Sequence, residues 1–224
     1  MCAGEYESIP ISVKPGDFIV AVDAGLERLL SQKIEPNLVL GDFDSLGKAY
    51  FNFLEKLERE HPEKLMRLPV EKDDTDTIYA ARICLKRGYR KFMLYGALGG
   101  RLDHTVANIQ TLAWLKDQGA DGVLIGKNVF VTVLEGEKLL IPDGYEGTFS
   151  LFALDPKVKG VTIEGMKYPL SDAVLTSTFP LGVSNEVSAG HRASVEVREG
   201  KALMILHGQT TEKTYTEEFE RIQL

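Results

Sequence analysis

The first half of the chain alternates strand-like and helix-like patterns of hydrophobic residues. Short apolar runs of strand length are followed by stretches in which apolar residues recur every three to four positions. The predicted strands are residues 18–22, 38–40, 65–68, 91–95 and 122–125, and the predicted helices are residues 25–33, 48–60, 75–87 and 103–118. This alternation is typical of right-handed βαβ units and a mainly parallel sheet.

The pattern changes at about Asn128, where short β-branched runs replace the helical spacing. Residues 129–134 form the clearest run, and turn sequences then separate further short strands at 142–144, 155–156 and 199–200. Several strands without helices are typical of an antiparallel sandwich. The predicted fold class is therefore α/β, with an N-terminal mainly parallel α/β sheet domain (residues 1–134) followed by a C-terminal antiparallel β-sandwich domain (residues 135–224).

Composition and charge narrow the classes of function. The 224 residues are 44% hydrophobic, which is ordinary for a globular protein that buries a substantial core. The net charge of -7 disfavours nucleic acid as a partner, because no net basic field replaces the counterions of its backbone. The N-terminal residues lack the pattern of a signal peptide, and every apolar run is shorter than a membrane span. Cys2 and Cys84 form no paired-spacing motif, so we expect a cytoplasmic protein.

Aspartates lie in three loops, and each loop follows a predicted strand. The loops are residues 41–45, 72–76 and 99–104. If the strands are parallel neighbours, the loops open on the same edge of the sheet, where ligands of open α/β sheets bind. Crowded carboxylates repel one another unless a hard divalent cation shares them. The sequence therefore predicts Mg²⁺ with a bound phosphate, and chemistry of the phosphoryl-transfer type.

Each acidic loop by itself also has a structural explanation. Asp and Gly are common in turns, and Asp or Thr caps the start of a helix such as residues 75–87. One cap would suffice there, whereas three carboxylates crowd the first turn. Asp73 and Asp76, if both are helical, lie on one face and suit a shared metal ion. For each loop taken alone, a functional role and a purely structural role both stay open. Only the joint placement of the three loops at strand ends favours a functional role.

A glycine-rich connection links the strand at 91–95 to the next helix. Gly99 and Gly100 permit a close approach of the backbone, and the helix that follows can hold an anion at its N-terminus. The alternative is a tight turn before a helix that Asp103 caps. Arg101 beside this loop is well shaped to clamp phosphate oxygens.

Four further positions and one further segment are candidates for ligand contact. His104 and Asn108 are four residues apart and share a helical face, so His104 could donate to phosphate or act as an acid or base. A structural role is the more common one for a single histidine. Asp23 and Gly25 repeat the strand-end pattern and could contact a nucleotide or cap a helix. Residues 184–186 are polar and could contact a ligand, but such residues are also common in turns.

Taken in order, these segments resemble thiamine pyrophosphokinases of the bacterial type. The resemblance covers nearly the whole chain and rests on seven segments: residues 3–5, 22–25, 41–45, 71–76, 99–104 together with 108–110, 164–170 and 184–186. It implies an α/β domain, a C-terminal β-sandwich and a homodimer with active sites between subunits. It also implies transfer of pyrophosphate from ATP to the hydroxyl of thiamine, which gives thiamine diphosphate and AMP.

The resemblance and the candidate residues together define four roles. Mg²⁺ would be held by Asp42, Asp44, Asp73, Asp76 and Asp103, and the catalytic group would be Asp73, Asp76, Asp103 and Arg101. By the resemblance, Lys72 and Arg101 would contact the phosphates of ATP. The further candidate ATP contacts, from their positions in the sequence, are Asp23, Gly25, Gly99, Gly100, His104 and Asn108. Ser184 and Asn185 would help to hold thiamine. Animal members carry a late-strand tryptophan against thiamine, whereas residues 202–205 here contain none, and Trp114 lies in a predicted helix of the first domain.

Two other functions stay open. A metal-dependent nucleotide-sugar transferase also uses paired aspartates at strand ends, and a non-catalytic nucleotide- or thiamine-binding module would need the same pocket. Residue chemistry by itself indicates metal-assisted transfer from a phosphorylated donor. The choice of the β-phosphorus and of thiamine comes from the resemblance.

Overall fold

A computed structural model describes residues 1–2, 10–43, 46–69, 71, 73–208 and 219–224. The chain divides into two compact units, Met1–Thr111 and Leu112–Leu224, which we call the first and second units. The functional boundary between residues 134 and 135 stays a prediction. No helix within the described ranges has the length and apolar character needed to span a lipid bilayer.

The first unit alternates strands and helices. In chain order they are β1 (Val20–Val22), α1 (Gly25–Ser31), β2 (Leu38–Gly41), a 3-10 turn (Lys48–Tyr50), α2 (Phe51–Glu60), a second 3-10 turn (Pro62–Lys64), β3 (Leu65–Arg67), α3 (Asp76–Lys86), β4 (Lys91–Tyr95) and α4 (Leu102–Asp117), which continues past the end of the unit. Strands β1, β2 and β3 are parallel and adjacent in that order. The predicted parallel α/β sheet is therefore confirmed.

The first two residues lie between β1 and β4 and continue the sheet. Met1 N donates to Val20 O at 2.7 Å, Val22 N donates to Met1 O at 2.9 Å, and Cys2 N donates to Tyr95 O at 2.8 Å. Gly25 lies directly beside this segment, because a Cβ atom there would be 2.1 Å from Met1 O. The close approach of two backbones is a sufficient structural reason for glycine at position 25.

The core of the first unit covers both faces of β2. Val39 packs with Leu26 and Leu29 of α1 and with Leu54 of α2, whereas Leu38 and Leu40 belong to a second cluster. Alternate residues of a strand point to opposite faces, so helices cover the sheet on both sides. Only the edges of this sheet are left for ligands.

The second unit consists mainly of antiparallel strands. They are β5 (Asp121–Gly126), β6 (Val129–Leu134), β7 (Glu137–Ile141), β8 (Gly147–Ala153), β9 (Lys157–Glu164), β10 (Leu170–Thr176), β11 (Gly182–Val187), β12 (Ala193–Val197), β13 (Ala202–Gly208) and β14 (Glu220–Gln223). One sheet has the order β10-β9-β12-β7-β14, and in the other the strands follow the order β11-β8-β13-β6-β5. The predicted C-terminal antiparallel sandwich is confirmed.

Strand β5 differs from its prediction as a member of the parallel α/β series. It pairs antiparallel with β6 through a two-residue turn, in which Asn128 has φ +56°. Asparagine tolerates this left-handed conformation, so a tight hairpin forms without glycine. The antiparallel part of the fold therefore begins before Asn128.

Candidate active site

Three aspartates converge at the carboxyl edge of the parallel sheet. Asp23 follows β1, Asp42 follows β2, and Asp76 begins α3. The carboxylates of Asp76 and Asp42 both act electrostatically on Asp23, and Asp76 lies within hydrogen-bonding reach of it. We call Asp23, Asp42 and Asp76 the acidic edge. It lies where parallel neighbours end together.

The acidic edge strongly perturbs Asp23. Burial raises the pKa of Asp23 from 3.8, and the charges of Asp76 and then Asp42 raise it further, to about 7. A hydrogen bond from the Phe43 amide opposes this shift. Oδ1 of Asp23 is buried, and no donor among the described residues reaches it. A carboxylate in this position is destabilised by its neighbours unless a proton or a cation joins it.

The backbone around the acidic edge is held in unusual conformations. Asp23 has φ +48° and Phe43 has φ +63°, both in the left-handed region that costs a non-glycine residue about 1–3 kcal/mol. The Asp23 amide donates to Leu40 O at 2.9 Å, and Phe43 is buried with the Arg67 guanidinium carbon 5.6 Å from its ring centroid. These contacts fix the two strained residues, as at many ligand sites.

Gly41 leaves the space that the Asp23 carboxylate fills. Its φ is +149°, and a Cβ atom there would be 1.9 Å from Asp23 Oδ1 and 3.2 Å from Asp23 N. We expect Gly41→Ala to displace Asp23 and to reduce turnover by on the order of 100-fold, because small displacements at a reacting centre have effects of that size. Steady-state assay of the purified variant measures the loss.

Gly136→Ala is the matched control for this prediction. Gly136 also has a positive φ, +61°, but a Cβ atom there meets nothing within 4 Å. Both variants carry backbone strain, and only the variant at Gly41 meets the acidic edge. Equal turnover in the two variants would disprove the role of the space at Gly41.

At the start of α3, one residue caps the helix and another belongs to the acidic edge. Thr75 is the N-cap, and its Oγ1 accepts from Ile78 N at 3.3 Å. Asp74 forms an ion pair with Arg82 at 3.1 Å. Asp73 is exposed and precedes the helix, so the condition that both residues are helical is not met and Asp73 and Asp76 do not share a helical face. Because Thr75 provides the cap, Asp76 is available to the acidic edge.

The glycine-rich connection after β4 is tightly folded. Gly99 and Gly100 have φ +77° and +65° and are exposed. Asn108 is 8% exposed, and its side chain donates to Ala97 O at 2.8 Å. Asn108 therefore fixes the connection from behind, and the backbone of the glycines faces outward.

Arg101 and Asp103 form a pair at the start of α4. The guanidinium Nε and Nη2 donate to the two carboxylate oxygens at 3.2 and 2.6 Å, and both side chains are more than half exposed. Arg101 lowers the pKa of Asp103, and the His104 amide also donates to it at 3.0 Å. His104 is exposed. Within the described residues, Asp103 contacts Arg101 and His104 and does not join the acidic edge.

The oxygen ligands of the acidic edge suit a divalent cation, although they are not arranged as a complete set of ligands around one point. The described ranges contain no ready-made group of three or more His, Cys, Asp or Glu ligands around one point. The buried Oδ1 of Asp23 and the mutual repulsion that raises its pKa are both relieved by a hard cation. Two residues predicted for this region, Asp44 and Lys72, lie outside the described residues, as do residues 3–5 of the resemblance.

In the second unit, β11 contains the predicted thiamine residues. The pairing of β11 with β8 shifts register between Gly182 and Asn185, and Ser184 is exposed there with φ +60°. Asn185 is 5% exposed, and its amide bonds the backbone of Tyr168 in both directions, at 2.9 and 2.7 Å. Asn185 therefore positions Tyr168.

Three features of these sites are visible in the structure and were not predictable from the sequence pattern. Asp23, a predicted ATP contact, lies at the centre of the acidic edge, and the sequence pattern does not indicate this central place. Its position at a strand end was the available signal. Arg67 ends β3 beside Phe43, where a lone arginine gave no signal. Tyr168 lies in the segment 164–170 of the resemblance, and the sequence alone predicts no role in ligand binding for it.

The fold and site together define a class of proteins that join an α/β unit with an acidic edge to an antiparallel β-sandwich. Residues 12–124 match the family described as "Thiamin pyrophosphokinase, catalytic domain", and residues 138–202 match "Thiamin pyrophosphokinase, vitamin B1 binding domain". The chain belongs to the thiamin pyrophosphokinase family, which confirms the resemblance.

Relatives match over most of their length. The thiamine pyrophosphokinase of Bacillus subtilis (strain 168) is 29% identical over 187 residues, which are 83% of this chain and 85% of that protein. The crystal structure of a thiamine pyrophosphokinase from Bacillus subtilis has a TM-score of 0.76 at 26% identity, with 88% of this chain and 91% of that chain covered. The thiamin pyrophosphokinase from Candida albicans has the same fold, with a TM-score of 0.71 at 18% identity and coverage of 86% and 83%.

Proposed function

We propose that this enzyme is a thiamine diphosphokinase that transfers pyrophosphate from ATP to the hydroxyl of thiamine. The products are thiamine diphosphate and AMP. The observation that carries the proposal is the acidic edge, with the perturbed Asp23 at its centre, in a chain of the thiamin pyrophosphokinase family. Function is argued from this site, because the fold alone would support many activities.

We assign Mg²⁺ binding to Asp23, Asp42 and Asp76, with Asp44 as a fourth candidate. The buried oxygen and the crowded charges of this edge support the assignment. When bound, Mg²⁺ supplies charge neutralisation and orientation of the triphosphate. We also retain Asp73 and Asp103 from the predicted set, but as residues beside the metal ligands.

The reaction forms a bond between the thiamine hydroxyl oxygen and the β-phosphorus and breaks the bond from that phosphorus to the oxygen of AMP. Asp103 is a poor acceptor for the hydroxyl proton, because Arg101 lowers its pKa. We therefore assign the proton to the exposed carboxylate of Asp73. Arg101, fixed by Asp103, presents its remaining donors to phosphate oxygens.

The other predicted ATP contacts divide into two groups. Gly99, Gly100 and His104 are exposed and suited to direct contact, and Lys72 is retained as a phosphate contact from the resemblance. Asn108 and Gly25 have structural roles that support the site from within.

We further propose a cytoplasmic homodimer. The free, buried Cys2 and Cys84 fit a reducing compartment. Exposed Val174, Phe179 and Leu181 on or beside the edge strands β10 and β11 offer apolar surface for a second copy.

Product analysis tests the proposed reaction. With thiamine, Mg²⁺ and ATP labelled at the β-phosphorus, we expect the label in thiamine diphosphate and an equal amount of AMP. Removal of divalent ions with EDTA should abolish turnover, and added Mg²⁺ should restore it. Heat-denatured enzyme is the control.

Other products would contradict the proposal in distinct ways. Label retained in ADP would mean transfer of the γ-phosphorus. A sugar requirement with release of a nucleoside diphosphate would indicate a nucleotide-sugar transferase, and binding without turnover would indicate a binding module.

A further inference from the structure

Tyr168 is an exposed aromatic residue whose backbone is held rigidly. It is 57% exposed, and Asn185 accepts from its amide and donates to its carbonyl. The neighbouring Lys167 amide also donates to Glu186 O at 3.0 Å. Three hydrogen bonds to β11 thus fix the segment while the ring stays in solvent. An exposed ring on a fixed backbone loses little entropy when a ligand binds.

The ring of Tyr168 already has a cation beside it. Lys167 Nζ is 5.5 Å from the ring centroid and forms an ion pair with Glu186 Oε1 at 2.7 Å. Aromatic faces attract cations electrostatically, and an adjacent carboxylate strengthens the attraction. Tyr168 and Glu186 together therefore form a cation-binding surface next to the predicted thiamine residue Ser184.

The late strand offers no comparable ring. In β13, Ala202, Leu203 and Met204 are all buried, so this stretch lacks both an aromatic side chain and exposed surface. Tyr168 lies within residues 138–202, the segment that matches the vitamin B1 binding domain. Its backbone is bonded to the side chain of Asn185, the residue that follows Ser184.

We propose that Tyr168 and Glu186 bind the positively charged thiazolium ring of thiamine and that Lys167 is the resident cation which thiamine displaces. Asn185 is a positioning residue for Tyr168. This inference rests on the proposed function for the identity of the ligand. It adds the recognition of substrate charge to the chemistry at the acidic edge.

Thiamine binding to the purified enzyme without ATP tests the inference by calorimetry. Tyr168→Leu should weaken binding of thiamine by about 3- to 30-fold, the range of a cation–aromatic contact. Binding of a neutral thiophene isostere of thiamine should change much less. Tyr168→Phe keeps the aromatic face and should recover most of the affinity. Because Asn185 holds the backbone of Tyr168, these changes leave its hydrogen bonds in place.

A second variant has the opposite expected sign. Lys167→Met removes the resident cation and leaves Glu186 unpaired, so thiamine should bind severalfold more tightly. Phe51→Leu is the control, because Phe51 of α2 is an aromatic residue with 41% exposure and no role in the proposed sites or the proposed dimer surface. It should leave thiamine binding unchanged.

The outcomes separate this inference from the proposed reaction. Unchanged thiamine binding in Tyr168→Leu, equal weakening for the neutral isostere, or weaker binding in Lys167→Met would overturn the inference. Formation of thiamine diphosphate by the wild type would still support the reaction in that case. Charge-dependent binding without product would do the reverse.

Discussion

Asp23→Asn is expected to reduce turnover by on the order of 100-fold or more and, at the same time, to stabilise the folded protein at pH 8. The carboxylate of Asp23 is destabilised by burial and by the charges of Asp76 and Asp42. Asparagine removes that repulsion and also removes a ligand oxygen for a cation. Loss of activity with gain of stability is typical of a residue kept for function.

The sign of the stability change follows from the raised pKa. The pKa of Asp23 is about 7 in the folded state and near 3.8 when unfolded, so the folded state binds the proton more tightly. The destabilisation is therefore absent below about pH 4, grows as pH rises and is complete above pH 7. Allowing for solvent screening, we expect Asp23→Asn to raise Tm at pH 8 by about 2–8 °C and to change it little at pH 4.

Thermal unfolding in EDTA at both pH values measures this effect. Asp143→Asn is the control. The Asp143 side chain is 60% exposed and its nearest cation, Arg192, is 3.7 Å away, so the same substitution removes a carboxylate that burial does not destabilise. Added Mg²⁺ should raise the Tm of the wild type at pH 8 and have little effect on Asp23→Asn. A lower Tm for Asp23→Asn at pH 8 would show that the Asp23 carboxylate stabilises the folded protein. It would contradict the charge repulsion inferred for the acidic edge.

The order of strands and helices was predictable because burial imposes a period on the sequence. Residues 91–95 and 129–134 have the predicted bounds, and the other elements differ by a few residues at their ends. Strand β1 begins later than predicted because the Asn37 side chain accepts from the Ile19 amide at 2.7 Å. Such a long-range contact leaves no periodic signal.

The antiparallel pairing of β5 was not predictable from period alone. Its buried residues read as a continuous apolar run, which is also typical of a parallel strand. The two-residue turn at Lys127-Asn128 decided the pairing, and it lacks the glycine that usually marks a tight hairpin. Turn chemistry outweighed the strand pattern.

The candidate sites were likewise predictable only in part. Placement of aspartates after parallel strands predicted an acidic edge, because topology brings strand ends together. The central role of Asp23 depends on the space that Gly41 leaves, and that space is a property of two strands in register. The contact between Asn185 and Tyr168 joins residues 17 positions apart, and no periodic pattern in the sequence indicates such a contact.

The largest expected effect on stability lies in a buried charge network of the second unit. Glu137 is fully buried and accepts from Lys116 Nζ at 2.6 Å and from Arg221 Nη1 at 2.9 Å. Arg221 also donates to Thr132 Oγ1 at 2.7 Å, which ties β14 to β6. Glu137→Gln leaves Asp121 as the carboxylate that Lys116 and Arg221 still share, so two largely buried cations face one negative charge. We expect the free energy of unfolding to fall by about 3–5 kcal/mol and Tm by about 6–20 °C.

Glu199→Gln is the matched control, because it breaks an ion pair of nearly the same length. Glu199 lies 2.7 Å from Lys159, but both side chains are more than half exposed, so its Tm should change by less than about 2 °C. Adding Lys116→Met to Glu137→Gln should recover part of the lost stability, since it leaves one cation, Arg221, opposite the one remaining carboxylate, Asp121. Equal Tm values for Glu137→Gln and Glu199→Gln would contradict the role of burial. The cost arises from desolvated charge, and the control carries the same charge in water.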